Sequence, residues 1–276
     1  FRDVDDIDAA TTFEDNGVDA VLLRGNDHIG QDVTVSPNIS FLVLSRVRFE
    51  DGAQLTIEPG VELVFARGTE LRIGHGAIGG ATLNAVGTAE SPIRFTGLEE
   101  ERGYWRGIRF IAAPGVGIME NVVVEYAGSS GWGTYVYDNE FPAGIAIGGR
   151  DEASVAIRQT TVRESGGVGI LLDAGGDYGF SAFEENTMTS NAMGPLVIPL
   201  DRLDQLDTAS TYMGNDEDVI YLAAETRRGE GYVIQDFGPD YEVLANWREL
   251  DVRGEGFLTV EDGVTMEFPN NGGIFT

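Results

Sequence analysis

The chain has 276 residues, 42% of them hydrophobic, so it is long enough to bury the core of one large domain or two ordinary ones. Forty-six acidic residues face eighteen basic ones, and the formal net charge of -28 excludes nucleic acid and anionic lipid as expected partners. Cysteine is absent, which excludes disulfides, thiolate metal sites and cysteine nucleophiles. The chain has no run of about 18 apolar residues, so membrane insertion is not expected.

A sequence segment at the beginning of the chain is repeated near its end. Residues 4–23 align without a gap with residues 203–222, at an offset of 199. The segment LTIEPGV at 55–61 returns as LTVEDGV at 258–264, at an offset of 203. Self-similarity on this scale is typical of a tandem array. The identical pairs in the first alignment are Asp5/Asp204, Asp8/Asp207, Ala10/Ala209, Thr12/Thr211, Asn16/Asn215, Asp19/Asp218 and Leu23/Leu222.

These repeats predict three parts. Residues 1–30 are the end of a preceding repeat or an N-terminal cap, residues 31–222 form one module, and residues 223–276 start the next repeat. The segment Leu258–Thr276 stops within a strand pattern, so we expect it to be a seam that either runs on into another copy or pairs with another chain.

Short apolar runs fill the first module, and several of them alternate apolar with polar residues, the period of a strand with one buried face. The apolar pairs Ile108/Phe110, Ile145/Ile147, Ile170/Leu172 and Leu196/Ile198 follow one another at 37, 25 and 26 residues. The last two intervals predict one coil each. The predicted strands are Leu55–Ile57, Glu62–Phe65, Leu71–Ile73, Ile93–Phe95, Ile108–Ile111 and Val122–Tyr126.

Two kinds of segment lie between these strands. The surplus in the 37-residue interval falls in Ser129–Pro142, which has no apolar period and is expected to be a loop that projects from one coil. Asn121, Asn186 and Asn191 are expected at bends, because asparagine tolerates a left-handed backbone and hydrogen-bonds to its own turn.

The chain resembles the right-handed parallel β-helix (pectate-lyase-like) modules of bacterial and archaeal secreted or cell-surface proteins. The resemblance implies an all-β fold: a right-handed parallel β-helix solenoid with three short parallel sheets. It also implies tandem occurrence, but it indicates no activity. The segments that carry it are LTIEPGVELVF (55–65), ATLNAVGTAESPIRFTG (81–97), YWRGIRF (104–110), ENVVVEYAG (120–128), SAFEENTMTSN (181–191) and residues 195–222.

The loop 129–142 is the candidate ligand-binding segment. Aromatic side chains beside acids can stack on sugar rings and hydrogen-bond to their hydroxyl groups. They can equally contact another subunit or fold back over their own coil, and the sequence leaves these three alternatives open. The candidate residues are Trp132, Tyr135, Tyr137, Asp138 and Glu140, with Phe141 at the end of the loop.

Larger β-helix families include pectate lyases and polygalacturonases, so an enzymatic site is one alternative for this chain. A pectate-lyase-like site needs Ca²⁺-binding acids with an arginine base beside them, and Ca²⁺ is the only cofactor that the sequence suggests. Asp5, Asp8 and Asp19 recur in the second copy, which favours hydrogen bonding in turns over chemistry. The candidate acids are Asp173 with Asp177, Asp216–Asp218, and Asp236 with Asp240.

Two further residues, His75 and Trp105, lie in distinctive segments of the sequence. His75 lies in a Gly-His-Gly segment similar to that of polygalacturonases, but the chain has only two histidines and no lysine, so catalysis by His75 is not expected. With two histidines, a multi-histidine metal site or a Ser/His/Asp triad is not expected either. Trp105 is expected to cover the edge of the core.

The sequence favours a non-enzymatic role. The predicted function is a stiff, acidic, extracellular or cell-surface building block of an array, stalk or filament. Its expected partners are further copies of itself, as tandem repeats or end-to-end subunits, with polysaccharide as a second partner. The alternatives are a polysaccharide-active β-helix enzyme, a lyase or glycosidase, and a carbohydrate-binding module.

Overall fold

The computed structural model describes residues 7, 11, 20–24, 27–36, 40–75, 79–111, 113–129, 141–148, 153–173, 178–223, 227–228, 231–244, 249–253, 257–268 and 273–275. Short strands make up most of this part of the chain. In chain order they are β1 (Ala20–Leu23), β2 (Asp27–Ile29), β3 (Val33–Val35), β4 (Ser40–Val43), β5 (Val47–Phe49), β6 (Gln54–Ile57), β7 (Glu62–Phe65), β8 (Glu70–Ile73), β9 (Thr82–Val86), β10 (Ile93–Gly97), β11 (Gly107–Phe110), β12 (Ala113–Glu120), β13 (Val122–Glu125), β14 (Ala143–Ile147), β15 (Ala153–Arg158), β16 (Thr161–Arg163), β17 (Val168–Leu172), β18 (Tyr178–Glu184), β19 (Thr187–Thr189), β20 (Leu196–Pro199), β21 (Val219–Ala223), β22 (Arg227–Arg228), β23 (Gly231–Ile234), β24 (Asp240–Val243), β25 (Glu249–Arg253), β26 (Phe257–Val260), β27 (Met266–Glu267) and β28 (Gly273–Phe275).

The strands form three main parallel sheets. The first has the order β1-β4-β7-β10-β13-β16-β19, the second β2-β5-β8-β11-β14-β17-β20-β21-β24-β27, and the third β3-β6-β9-β12-β15-β18. Up to β20, each strand therefore pairs with the strand three positions along the chain, so every coil contributes one strand to each sheet. This arrangement is a three-sheet parallel β-helix, and the predicted fold is confirmed.

The core lies inside the coils. Ile108, Ile145, Ile170 and Leu196 occupy one register row of the second sheet, and all four are buried. The intervals noted in the sequence therefore correspond to stacked inward-facing residues. The strands β11 and β14 are direct neighbours in this sheet.

Trp105 belongs to the interior of this core rather than to its edge. Its side chain is fully buried, and its ring stacks on the Phe65 ring with centroids 4.0 Å apart and planes 9° apart. Its indole N–H donates a hydrogen bond to the Glu125 carbonyl oxygen at 2.9 Å. A buried indole needs such a partner, because an unpaired donor in an apolar interior is costly. The role of Trp105 is therefore structural.

The predicted bends are present, but asparagine plays two different parts in them. Asn121 has a positive φ of 50°, as expected. At the other two bends the preceding residues, Glu185 and Ser190, have the positive φ instead. The side chains of Asn186 and Asn191 are buried and hydrogen-bond to backbone groups of the previous coil, not of their own turn. The expectation was therefore wrong for these two residues, because a buried amide must satisfy both its donor and its acceptor atoms.

The regular winding is interrupted after β20. A 3-10 helix, Leu200–Gln205, follows this strand and buries Leu200 and Leu203. The next strand, β21, then pairs directly with β20 in the second sheet. From this point the pairing pattern of the first eight strands begins again: β21-β24-β27 corresponds to β1-β4-β7, β22-β25-β28 to β2-β5-β8, and β23-β26 to β3-β6.

The second copy does not continue the sheets of the first copy in phase. The strand β1 belongs to the first sheet, whereas its counterpart β21 extends the second. Equivalent strands of the two copies therefore do not all lie in the same sheet, and we call the segment that connects the copies, Leu196–Ala223, the junction. The boundaries proposed at residues 30/31 and 222/223 stay predictions.

Candidate functional site

The residues predicted to bind a ligand, Trp132, Tyr135, Tyr137, Asp138 and Glu140, lie outside the described residues. Of that loop, only Ser129 and the last two residues, Phe141 and Pro142, are described. Phe141 is half-buried, and its ring centroid lies 5.0 Å from that of Tyr221. For Phe141 the contact is therefore with its own coils, while the role of the other five residues stays a prediction.

Phe141 packs against a second, smaller apolar cluster that lies on the outside of the second sheet. Outward-facing side chains of four neighbouring strands form its centre, and Met193 and Val219 pack against it. The sheet is therefore covered by apolar groups on both faces over this part of its length. The buried members are Ala143, Ala146, Val168, Leu171, Val197, Tyr221 and Leu244.

The cluster is the middle part of a longer row, which we call the outer ladder. Each strand of the second sheet contributes one outward-facing residue, which lies opposite the outward-facing residue of the neighbouring strand. Along the helix axis these side chains change from basic through apolar to acidic. In order they are His28, Arg48, Arg72, Arg109, Ala146, Leu171, Val197, Tyr221, Glu242 and Glu267.

The acidic end of the outer ladder places like charges side by side. Burial raises the pKa of Glu242, and the neighbouring carboxylates Glu267 and Glu217 raise it further. Burial also raises the pKa of the Tyr221 hydroxyl, whose oxygen is hydrogen-bonded to Glu217. Within the described residues, no group of three or more His, Asp or Glu side chains is arranged to hold a metal ion.

The basic end of the outer ladder is wider than one row. Arg46 precedes β5 and Arg106 precedes β11, and with the three ladder arginines they form what we call the basic patch: Arg46, Arg48, Arg72, Arg106 and Arg109. Glu70, only 1% exposed, lies among them. Its carboxylate is 2.5 Å from Arg46 Nε, 2.8 Å from Arg72 Nη2 and 3.8 Å from Arg106 Nη1.

A second buried carboxylate, Glu50, borders the patch on the other side. One of its carboxylate oxygens lies 2.9 Å from His28 Nδ1, and the other lies 4.0 Å from Arg48 Nη1. Burial lowers the pKa of Arg72, and the neighbouring guanidiniums of Arg48 and Arg46 lower it further against the effect of Glu70. Burial and Arg48 likewise lower the pKa of His75.

The sequence reasoning missed the basic patch, although a signal was present. Three strands of the second sheet carry an arginine between two apolar residues, in Val-Arg-Phe (47–49), Leu-Arg-Ile (71–73) and Ile-Arg-Phe (108–110). An alternating strand turns its central residue outward when its flanking residues are in the core. Stacking three such strands in one sheet brings the arginines together.

The candidate metal-binding acids are not brought together into a metal site within the described part of the chain. Asp173 is buried directly after β17, and its proposed partner Asp177 lies outside the described residues. The backbone of His75 pairs with that of Gly79. Asp216 forms an ion pair with Arg102 at 2.7 Å, and a carboxylate oxygen of Asp236 accepts a hydrogen bond from the Gly238 N–H at 2.9 Å.

Two of the recurring aspartates, Asp207 and Asp218, hydrogen-bond to the backbone at turns, as predicted. Asp207 accepts hydrogen bonds from the backbone N–H groups of Glu185 at 2.8 Å and Ser210 at 3.2 Å. Asp218 accepts one from the Asn215 N–H at 2.9 Å. Their counterparts Asp8 and Asp19 lie outside the described residues, so the shared role in the first copy stays a prediction.

The last coil exposes apolar residues that the first copy buries. At the offset of 203, Leu55, Ile57 and Leu71 correspond to Leu258, Val260 and Ile274. Leu55, Ile57 and Leu71 are at most 1% exposed. In contrast, Val260 is 42% and Ile274 45% exposed. Phe257 is 61% exposed in the same coil. We call β26, β27 and β28 the terminal rung.

The difference has a simple cause, because in the first copy the next coil covers these positions. Leu55 and Ile57 lie opposite Leu83 and Ala85 of β9, and Leu71 lies opposite Ile108 of β11. The opposite end of the helix is closed: Ile29, Val33 and Val35 of its first coil are at most 1% exposed. Ile7 packs against this core. The two ends of the helix are therefore unlike.

The chain matches no family model, no curated protein and no solved structure. Among the described residues there is no helix with the length and apolar character needed to cross a membrane.

Proposed function

We propose that this protein is a non-enzymatic structural building block, a stretch of β-helix on which further rungs of the same repeat stack to form an extracellular or cell-surface array, stalk or filament. The terminal rung is the observation that supports the proposal. It presents the strand pattern of β6, β7 and β8 with the apolar positions of that pattern uncovered. Exposed apolar strand edges favour pairing with another strand of matching pattern.

The occupant of the terminal rung is a coil with the sequence pattern of β9, β10 and β11. In the first copy, this coil covers the three strands equivalent to the terminal rung. The junction supplies a second argument, since it is an example within one chain of a second copy seated on the first through continuous parallel pairing. Each added rung buries apolar surface, which contributes about 25 cal/mol per Å².

An extended chain tests this proposal. At the offset of 203, Thr276 corresponds to Ile73, so residues 74–222 are joined directly after Thr276. If the proposal holds, amide hydrogen exchange in β26 and β28 slows, because the added coil covers both strands. The matched control carries the same extension with Leu83, Phe95 and Ile108 of the added copy replaced by Asp, which cannot be buried. Equal exchange with the two extensions would contradict the proposal.

Two alternatives remain as predictions. A carbohydrate-binding module depends on the aromatic loop, which lies outside the described residues. A polysaccharide-active enzyme needs carboxylates free for chemistry on a lateral face. Glu50 and Glu70, which lie on such a face, are instead paired with His28 and with arginines. Neither alternative has an observation of its own that favours it over the structural role.

A further inference from the structure

The basic patch carries more positive charge than its own carboxylates neutralise. Glu70 lies within 4 Å of three guanidiniums, those of Arg46, Arg72 and Arg106. One carboxylate neutralises one of these charges, so about two remain at this point alone. In a chain with a net charge of -28, such a local excess is not a consequence of composition.

The arrangement of the fold maintains this excess. Arg48, Arg72 and Arg109 are paired in adjacent strands, and strands of one sheet lie about 4.8 Å apart. Like charges at that distance repel each other, and the repulsion is stronger where burial lowers the local dielectric constant. Arg48 is 14% and Arg72 15% exposed, so water screens them only in part. The lowered pKa of Arg72 reflects this burial and the neighbouring guanidiniums.

Several donors of the patch are unused. The Nε atoms of Arg48 and Arg72 are buried and have no hydrogen-bond partner in the described part of the protein, and the same holds for Glu50 Oε2 and for both carboxylate oxygens of Glu70. The closest approaches of Arg48 to Glu50, at 4.0 Å, and of Arg106 to Glu70, at 3.8 Å, are too long for hydrogen bonds. A guanidinium has five N–H donors in a planar fork, which match the oxygens of a carboxylate, sulfate or phosphate group.

Counter-charges for Glu50 and Glu70 would be a sufficient role for two arginines, but not for the four that lie beside them, Arg46, Arg48, Arg72 and Arg106. A purely structural pair also reaches hydrogen-bond distance, as Arg163 does when its Nη2 and Nε donate to one buried carboxylate oxygen of Glu125 at 2.7 and 2.9 Å. Arg106 and Arg48 do not reach their carboxylates in this way. They border a patch in which Arg46 and Arg106 keep 40% and 29% of their side chains exposed, so the patch is open to solvent.

We propose that the basic patch is a binding site for an oxyanion, namely a carboxylate, sulfate or phosphate group of a ligand, held by Arg46, Arg48, Arg72 and Arg106. The anion supplies the negative charge that Glu50 and Glu70 leave unmatched, and it reaches the guanidiniums of Arg46 and Arg106, which are exposed at the rim of the patch. Because the rest of the chain is strongly acidic, binding is selective for this patch and weakens with rising ionic strength. The site is independent of the proposed stacking of rungs.

The test measures the midpoint temperature of thermal unfolding of the whole chain. It compares sodium sulfate, sodium phosphate and sodium acetate, each with sodium chloride at equal ionic strength. A ligand that binds the folded state raises the midpoint in proportion to its occupancy. Because sulfate and phosphate also stabilise folded proteins without a binding site, the expected result is that at least one oxyanion raises the midpoint beyond chloride in the unchanged protein and raises it less in the patch variants. Equal shifts for all four salts would overturn the proposal.

The variants locate the effect. R48Q and R106Q together remove charge-assisted hydrogen bonds and are expected to weaken the apparent Kd for the active oxyanion about tenfold or more. The matched control is R67Q, since Arg67 is an exposed arginine paired with Glu101 away from the patch, and its Kd should equal that of the unchanged protein. Circular dichroism verifies folding. If the double variant does not fold, R106Q alone, at the rim, is expected to weaken binding severalfold; an unchanged Kd in a folded variant would refute the site.

Discussion

At the scale of single residues, buried polar side chains connect one coil to the next. Asn191 has no exposed surface, and its amide donates to the Val162 carbonyl at 3.2 Å and to Asn215 Oδ1 at 2.9 Å. Its Oδ1 accepts from the Ser165 N–H at 3.1 Å. One side chain therefore satisfies groups in the coil before it and in the coil after it. A side chain in this position fixes the register of three successive bends.

The first prediction concerns this residue. Replacing Asn191 by Ala leaves the Ser165 N–H buried without its partner, so the free energy of unfolding should fall by about 1–3 kcal/mol. Urea denaturation followed by circular dichroism measures the change. The control is Asn84→Ala, because Asn84 is on the outer face of β9 and partly exposed, and its replacement should cost much less. A comparable loss in both variants would show that Asn191 contributes no special stability.

The arginines of the basic patch show that the orientation of a single residue can be predicted more easily than its neighbours. Each of Arg48, Arg72 and Arg109 follows from the sequence as an outward-facing residue of a strand. That the three lie side by side depends on the pairing of β5, β8 and β11, whose separation along the chain varies with the turns between them. The single residues were predictable, and the patch that they form was not.

At the scale of elements, close approaches between neighbouring strands restrict which residues can begin a strand. Gly107 starts β11 with a φ of +107°, and a Cβ atom there would lie 2.4 Å from the Gly144 carbonyl oxygen of β14. A side chain would therefore push these two strands apart. Gly52 also has a positive φ, +82°, but nothing lies within 4 Å of its Cβ position.

The second prediction separates these two effects. Gly52→Ala should cost about 1–2 kcal/mol of unfolding free energy, the strain of a left-handed backbone. Gly107→Ala has the same kind of strain and a clash with backbone atoms, which cannot rotate away, so its loss should be clearly larger. Chemical denaturation of the two variants in parallel gives the comparison. If the two losses are equal, the spacing of β11 and β14 is not set by this contact.

The junction is the element that the repeat in the sequence did not explain. The offset of 199 correctly matched Ala20–Leu23 with residues 219–222, and both segments are strands. A natural expectation is that equivalent strands occupy the same sheet, yet β1 lies in the first sheet and β21 in the second. The 3-10 helix Leu200–Gln205 follows β20 in place of a strand and contacts β18, and Thr211 then bridges Thr187 of β19 before β21 begins.

At the scale of the whole molecule, the helix is a one-dimensional stack in which each coil contacts mainly its neighbours. Stability in such a stack is close to a sum of coil and interface contributions. The terminal rung has a neighbour on one side, and its apolar residues Phe257, Val260 and Ile274 are exposed. The central coils have neighbours on both sides. Local stability should therefore decrease toward the terminal rung.

The third prediction follows from this gradient. In native-state hydrogen exchange, the amides of β26, β27 and β28 should exchange fastest among the strands, and those of β11, β14 and β17 slowest, because opening the end of the stack uncovers less apolar surface than opening its middle. Mass spectrometry of peptides from the quenched protein measures the order. Uniform protection along the chain would mean that the helix opens as one cooperative unit, and the gradient would be absent.

Much of this architecture was determined by the sequence alone. The alternation of apolar residues gave the strands, and their recurrence at 25 and 26 residues gave the coils, because an inward-facing side chain must stack on another at each turn of the helix. The similarity of residues 4–23 to 203–222 indicated a second copy. These features depend on local patterns and on repetition, which a sequence displays directly.

Only the tertiary structure decided which outward-facing residues meet and how the second copy is placed. Neighbours in a parallel sheet are separated by a whole coil, and one added or missing turn residue changes which residues lie opposite each other without changing the strands themselves. The basic patch, the outer apolar cluster and the junction all arise from that register. The contrast between a closed first coil and an open terminal rung is decided in the same way, because burial depends on what lies above a residue and not on its own sequence.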